Sequence, residues 1–535
     1  MYKKNAFGNP DGSRTDIEDM MAEFVKFDGT SFTSGVALED DLKVRVIVGA
    51  KGSGKTVYLR RMRAILSEND SVYVNDIEQE VPSTDLIIRF CQMFSDTELT
   101  EQWMYVWKFA IIRTVVSNIL NNHKWNSDSN IDVAPLKKYT NILFPEYKTP
   151  MSVYAEARHI LSSYTTKNEF AKYKNKREWD ELEYILSEML RCLPPIYFFV
   201  DSVDEEYGHA PMYWLRCQKG LFYRVMRMLR ENIYGNKLHI IISIRDNVFS
   251  SVLQSEHQTR YINEDHIRIL NWDYSTIEYF FKSKIDALNP CYFLNPPQNK
   301  EDKCINRWLG IDTIYNTQRQ IEEPLLDYIL RHTRLLPRDI IIVGNSLAQI
   351  KREIFEEADY DIQLIIREKV SKSARTFGNE LLQICANQII NNEMPKGAVQ
   401  KNYSEVYTSI KEYTYSVAQD IKNILLEFNS DRFTWDELLL IDLQARQHIG
   451  ESCHLLDVLW QNSALGYLNA GPNGSEEIFF IDANYEDFLL PKKKAQYLLR
   501  SCLIDAIGIS PKKWDNSPVI GGYRRQKNYK VRKTL

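Results

Sequence analysis

The stretch Gly49-Ala50-Lys51-Gly52-Ser53-Gly54-Lys55-Thr56 constrains this chain more than any other, because of what flanks it. Val44-Arg45-Val46-Ile47-Val48 is a short apolar, β-branched run that reads as a buried parallel strand. Residues 57–66 then carry apolar side chains at helical spacing (Val57, Leu59, Met62, Ile65, Leu66). A Gly-x-x-x-x-Gly-Lys-Thr turn between a strand and a helix is a phosphate loop. Its glycines let backbone N–H groups curl around a β-phosphate, and the N-terminus of the following helix adds its dipole. Lys55 places a cation on the β/γ oxygens, and the Thr56 hydroxyl is a ligand for Mg²⁺. The expected ligand is ATP with Mg²⁺.

Such a site needs a carboxylate on a neighbouring strand to complete the magnesium shell. Ile196-Tyr197-Phe198-Phe199-Val200 is an apolar strand ending in Asp201, which fills that role. Asp204 and Glu205 follow as candidates to orient or deprotonate the attacking water; the sequence does not choose between them, and either also suits capping of the next helix. Ile240-Ile241-Ile242-Ser243-Ile244-Arg245-Asp246 brings an arginine to the end of a further strand. Strand C-terminal ends line the ligand crevice of a parallel sheet, so Arg245 is expected to reach the γ-phosphate. The plainer reading is a solvated arginine paired with Asp246.

Strands at 44–48, 71–74, 196–200, 238–244 and 267–270 alternate with helical patterns, near 212–232 among others. That alternation predicts an α/β fold with a parallel sheet flanked by helices. Ser275-Thr276-Ile277-Glu278 fits a capping box opening the next helix. Residues 1–42 read as a polar N-terminal arm, and 43–290 as the nucleotide domain with a mostly helical insertion at about 77–194. Within the insertion, the lysine-studded Thr165–Arg177 reads as a loop. Asn289-Pro290 and Asn295-Pro296-Pro297 mark a linker, after which strands stop and helices dominate 303–427. The segment 428–510 reads helix (435–446), helix (452–466), a hairpin of Glu476–Ile481 with Tyr485–Leu489, then helix 494–507, the order of a winged helix-turn-helix. At about 150 residues per domain, 535 residues suit this division.

Charge excludes some function classes. The formal net charge is −5, so a globally basic nucleic-acid coat is ruled out. Residues 431–508 carry six basic groups against twelve acidic ones, and Ser452–Gly466 contains no Lys or Arg. A DNA duplex would repel such a module, which favours a protein-interaction or autoinhibitory role. The tail 511–535 is different: Lys512, Lys513, Arg524, Arg525, Lys527, Lys530, Arg532 and Lys533 face a single Asp515, interleaved with Tyr523 and Tyr529. It suits contact with nucleic acid, or equally a solvated terminus. The eight cysteines are scattered without a CxxC pair, the N-terminus lacks a signal-peptide core, and the longest apolar run, Trp103–Leu120, is broken by Lys108 and Arg113. These features point to a cytoplasmic protein with reduced thiols and no membrane span.

The G-x-K-G-x-G-K-T loop, the acidic motif Asp201-Ser202-Val203-Asp204-Glu205 and the Ser-x-Arg strand end together resemble the STAND branch of AAA-like P-loop ATPases. The chain is also similar to origin-recognition-like bacterial ATPases, in which a helical lid and a winged helix follow the nucleotide domain. Thr333-Arg334-Leu335-Leu336-Pro337-Arg338-Asp339 resembles the lid motif, which implies that Arg338 is a second sensor of the γ-phosphate. Two departures stand out: the 77–194 insertion, and Pro-Arg where STAND proteins commonly carry Gly-x-Pro. The resemblance implies an α/β P-loop NTPase followed by an α-helical lid and a winged-helix domain. It implies a nucleotide-driven switch, in bacteria often in phage defence or DNA transactions, working on a partner protein and with nucleotide-dependent assembly. A DNA-dependent ATPase using the basic tail, and a nucleotide-holding scaffold without hydrolysis, are the alternatives.

Overall fold

The computed structural model describes residues 3–24, 43–69, 72–74, 84–122, 125, 132–145, 149–201, 211–253, 260–261, 264–295, 304–354, 361–390, 403–451, 453–470, 476–481, 489–492, 494–514 and 519–520. Its first layer is a five-stranded sheet of β1 (Val46–Gly49), β2 (Tyr73–Val74), β3 (Ile196–Val200), β4 (Leu238–Arg245) and β5 (Ile267–Ile269). Their order is β2-β3-β4-β1-β5, and every pairing is parallel. The α/β expectation holds. The near-continuous apolar strands follow from burial of both faces. Val46, Val48, Phe198, Val200, Ile240 and Ile242 enter one core. Ile47, Tyr197, Phe199 and Ile241 enter the other, against Tyr58, Leu59 and Met62 of helix Lys55–Ser67.

The insertion belongs to the first of these cores. Helix Asp96–Asn121 lies under the sheet with Trp103, Trp107, Ile111 and Val115 buried. Its two charges are accommodated by pairing: Arg113 meets Glu156 at 2.6 Å and Lys108 meets Glu183 at 2.5 Å. A buried charge with a close partner costs far less than an unpaired one, which lets so apolar a helix serve as a protein core. No helix among the described residues is long and apolar enough to cross a membrane. The stretch read as a lysine-rich loop is instead helix Lys167–Lys174, opened by a reciprocal Thr166/Glu169 capping box and anchored by buried Phe170 and Tyr173. The two aromatics three apart supply one buried face, which the density of lysines obscured.

A third core begins at Tyr274, ahead of the Asn-Pro punctuation. Helix Tyr274–Asp286 is capped by Asp273 with Thr276, not by a Ser275–Glu278 box. Asn289-Pro290 opens a 3₁₀ turn, Pro290–Tyr292, whose Tyr292 is buried, so this is packed structure rather than a linker. The strands do not stop either. β6 (Thr313–Asn316) and β7 (Ile321–Pro324) form an antiparallel hairpin, tied by Asn316 Nδ2 donating to Glu323 Oε1 at 2.9 Å. Phe7 of the N-terminal arm is fully buried here between Phe281 and Trp308, and Asn345 clamps its backbone: Phe7 N donates to Oδ1 at 2.8 Å and Nδ2 donates to Gly8 O at 3.0 Å.

The long helix Ile362–Ile390 joins this core to the last module. That module holds helices Trp435–His448, Leu455–Gln461 and Ser501–Ile507, with strands β8 (Arg432–Phe433), β9 (Leu465–Ala470), β10 (Glu476–Phe479), β11 (Gln496–Leu499) and β12 (Val519–Ile520). Their order is β12-β10-β9-β11-β8. Three expected boundaries change. The second helix is Leu455–Gln461, not 452–466; β10 pairs with β9, not with 485–489, most of which lies outside the described residues; and 494–507 opens with β11 before its helix. Short helices abutting β-branched-poor strands give no clean change of period, so the pattern ran them together.

Gly378 lets the long helix touch helix Ser501–Ile507: an added Cβ would lie 2.1 Å from Cys502 O and 2.6 Å from Ala506 Cβ. Gly378→Ala should therefore lower stability in a urea melt by about 1–3 kcal/mol, despite alanine's better helix propensity. Unchanged or increased stability would contradict this packing.

Candidate functional site

β1 ends at Gly49, and the chain turns through Gly52 (φ +92°) and Gly54 (φ +95°) before helix Lys55–Ser67 begins. Both angles lie in the left-handed region that side chains resist, which is why glycine stands at those positions. Ser53 N donates to Ala50 O at 3.1 Å, closing the loop. The buried Lys55 ammonium sits inside it, donating to Gly49 O at 2.8 Å and Ala50 O at 3.1 Å. Thr56 lies in the first helical turn. The loop is braced from outside by Trp272, whose Nε1 donates to Ser53 O at 2.9 Å.

Asp201 directly follows β3. Ser243, on β4, donates from Oγ to Asp201 Oδ1 at 2.7 Å, and Tyr154 of the insertion donates to Asp201 O at 3.2 Å. Because β4 lies between β3 and β1, Ser243 bridges the carboxylate towards the loop strand; it pairs with Ile47 in register. Ser243 was named in the sequence only as part of a strand end, and its role needed the strand order. Arg245 ends β4 opposite Gly49. It lines a polar cavity of about 160 Å³ together with Lys51, Asn271 and Arg334.

The lid motif meets the loop directly. Arg338 N donates to Gly52 O at 3.3 Å, and a Cβ on Gly52 would lie 3.0 Å from Arg338 Cβ. Leu335 takes φ +58°, a strained value for a bulky side chain, with Leu335 N donating to Thr333 Oγ1 at 3.1 Å. Arg334 is fixed by a fully buried Asp339, Nη2 to Oδ1 at 2.6 Å and Nε to Oδ2 at 2.9 Å.

One residue at the loop escaped the sequence. Glu380, on the long helix, lies 2.8 Å from Lys51 Nζ, 2.9 Å from Arg334 Nη2 and 4.0 Å from Arg338 Nη1. Nothing local distinguishes it from any other glutamate on an amphipathic helix; only the tertiary fold makes it part of the site. Burial by itself would raise this carboxyl, but Arg334, Lys51 and Arg338 outweigh burial and hold it down at about 2.

A second, apolar cavity of about 120 Å³ adjoins Ser53 and Gly54 and is walled by Phe7, Tyr58, Trp272 and Ile341. Asp204 and Glu205 lie outside the described residues. No group of three or more His, Cys, Asp or Glu side chains able to hold a metal occurs among the described residues. That fits Mg²⁺ all the same, which takes one or two protein oxygens and completes its shell with phosphates and water. Thr56 and Asp201 supply oxygens of that kind.

The other candidate interfaces look different in three dimensions. Helix Leu455–Gln461 buries Leu455, Leu456, Val458, Leu459 and Trp460 in its own core, so little of it is available to read a groove. The basic tail does not begin at 511: Lys512 N donates to Asp431 Oδ1 at 2.9 Å, and buried Trp514 lies under Arg319 at 4.0 Å. Residues 519–520 pair with β10, and 521–535 lie outside the described residues. All eight cysteines are free thiols. No protein-family model matches this chain, and no curated protein or solved structure is significantly similar to it.

A carboxyl held low in the fold stabilises above its unfolded value and loses that contribution as pH falls through the folded one. Glu380 should thus stabilise above pH 4.5 and fade towards about 2. Urea melts should find Glu380→Gln about 1–2 kcal/mol less stable at pH 7, a figure reduced for solvent screening. The gap to the unsubstituted protein should narrow as pH falls below 4.5. A gap constant from neutrality into acid would contradict the assignment.

Proposed function

We propose that this chain is an ATP-binding and ATP-hydrolysing switch whose triphosphate is held by residues 49–56. The observation that carries the reading is the buried Lys55 ammonium, gripped by the Gly49 and Ala50 carbonyls at the start of a helix, beneath a loop that only glycine can turn. Backbone N–H groups of the loop would cradle the phosphates, and Lys55 would exchange carbonyl contacts for phosphate oxygens. The apolar cavity beside Ser53 and Gly54 suits the flat face of a purine, with Trp272 and Tyr58 as its aromatic walls. Mg²⁺, held by Thr56 and Asp201, would neutralise charge on the phosphates. Ser243 keeps the Asp201 carboxylate oriented. Arg245 and Arg338 would bind the γ-phosphate edge, and Asp204 or Glu205 would position water.

The last module is proposed to work on a partner protein rather than on DNA. Its helix Leu455–Gln461 is spent on the core, whereas Leu439, Leu440 and Leu443 of helix Trp435–His448 stand about half exposed on one face. Adjacent exposed leucines are characteristic of contact surfaces.

Phosphate release and ATP retention by purified variants test the reading. Lys55→Ala should abolish ATP binding, and Asp201→Asn should retain some binding while phosphate release falls by about 100-fold or more. Tight ATP binding by Lys55→Ala would sink it.

A further inference from the structure

Three cations converge on one carboxylate at the seam between the loop and the long helix. Glu380 Oε1 lies 2.8 Å from Lys51 Nζ and 4.0 Å from Arg338 Nη1, and Oε2 lies 2.9 Å from Arg334 Nη2. The three are not equivalent. Arg334 is also neutralised by the buried Asp339, which binds it through both oxygens, so it is a fixed structural charge. Lys51 and Arg338 are about two-fifths and one-third exposed, and both belong to the phosphate side. Lys51 is a residue of the loop, and Arg338 is bonded to it through Gly52 O.

We propose that Glu380 is a latch that competes with nucleotide phosphates for Lys51 and Arg338. Phosphate binding draws those two cations off the long helix and loosens it from the loop. The inference rests on the nucleotide reading given above and adds a means of regulation to it. A triphosphate offers several negative charges where Glu380 offers one, so the exchange runs towards the ligand. Arg334 stays behind with Asp339 and keeps Glu380 from becoming an unpaired charge. Release does not stay local. Gly378, two positions along the same helix, is the contact with Cys502 and Ala506, so a shift of the helix is passed to the last module. The coupling is reciprocal: whatever phosphate does to the latch, the latch does to phosphate affinity.

The sign of the effect separates this role from ordinary support. A glutamate that merely built the site would weaken binding when removed; a competitor strengthens it. Glu380→Gln removes the charge, and Glu380→Asp retracts it from Lys51 while keeping a carboxylate near Arg334. In Mg-ATP titrations of the full chain, both variants should bind about threefold to tenfold more tightly than the unsubstituted protein, the range expected for partly exposed ion pairs. Amide hydrogen exchange should rise across 376–390 when the unsubstituted protein binds ATP. In Glu380→Gln it should be raised already and unaffected by ATP. Equal or weaker binding by both variants, or exchange in 376–390 of the unsubstituted protein that ignores bound ATP, overturns the latch alone. An unsubstituted protein that binds no ATP overturns the nucleotide reading itself, and the latch with it.

Discussion

A lysine ammonium buried under its own loop sets the terms for the rest of the ligand edge. Lys55 can sit there only because Gly49 and Ala50 turn their carbonyls inward, and they can do so only because Gly52 and Gly54 take left-handed angles. Every neighbouring element is then fixed by how it reaches this loop. Trp272 holds Ser53 from the β5 side, Arg338 holds Gly52 from the following helices, and Arg245 stands across from Gly49. A positive charge at a helix N-terminus is unfavourable in itself, and it is tolerated because backbone carbonyls stabilise it locally. The same arrangement is primed for an anion.

From that loop, charge is arranged outward in a graded series. The deepest pairs, Arg113 with Glu156 and Arg334 with Asp339, are closed and sheltered from water. Such pairs contribute little net stability, yet either partner alone would be costly, so they fix geometry. The Lys51, Arg338 and Glu380 contacts are more open to solvent, which makes them the ones a ligand can rearrange. Rigid pairs therefore frame a labile one, as a nucleotide-responsive switch requires.

The sheet and the loop were legible in the sequence because both obey local rules. Parallel strands with two buried faces must be apolar throughout, so β3 could be read at its true limits, Ile196–Val200, and Asp201 at its end. Elements that rely on neighbours were not legible. Lys167–Lys174 is helical because Phe170 and Tyr173 find an aromatic core made by distant helices. The β6–β7 hairpin is held by the buried ion pair of Glu323 with Arg331, a contact made with the next helix. Ser243 and Glu380 are the clearest cases. Each is ordinary in its own segment, and each joins the site only through strand order or helix docking.

The most direct test of the loop is its backbone. Amide hydrogen exchange across residues 49–58, followed with and without Mg-ATP, reports the N–H groups proposed to cradle the phosphates. Strong protection of 52–56 on adding Mg-ATP, absent with Mg-AMP, is the expected result. ATP bound elsewhere, with exchange in 49–58 unchanged, would contradict a triphosphate site at Lys55.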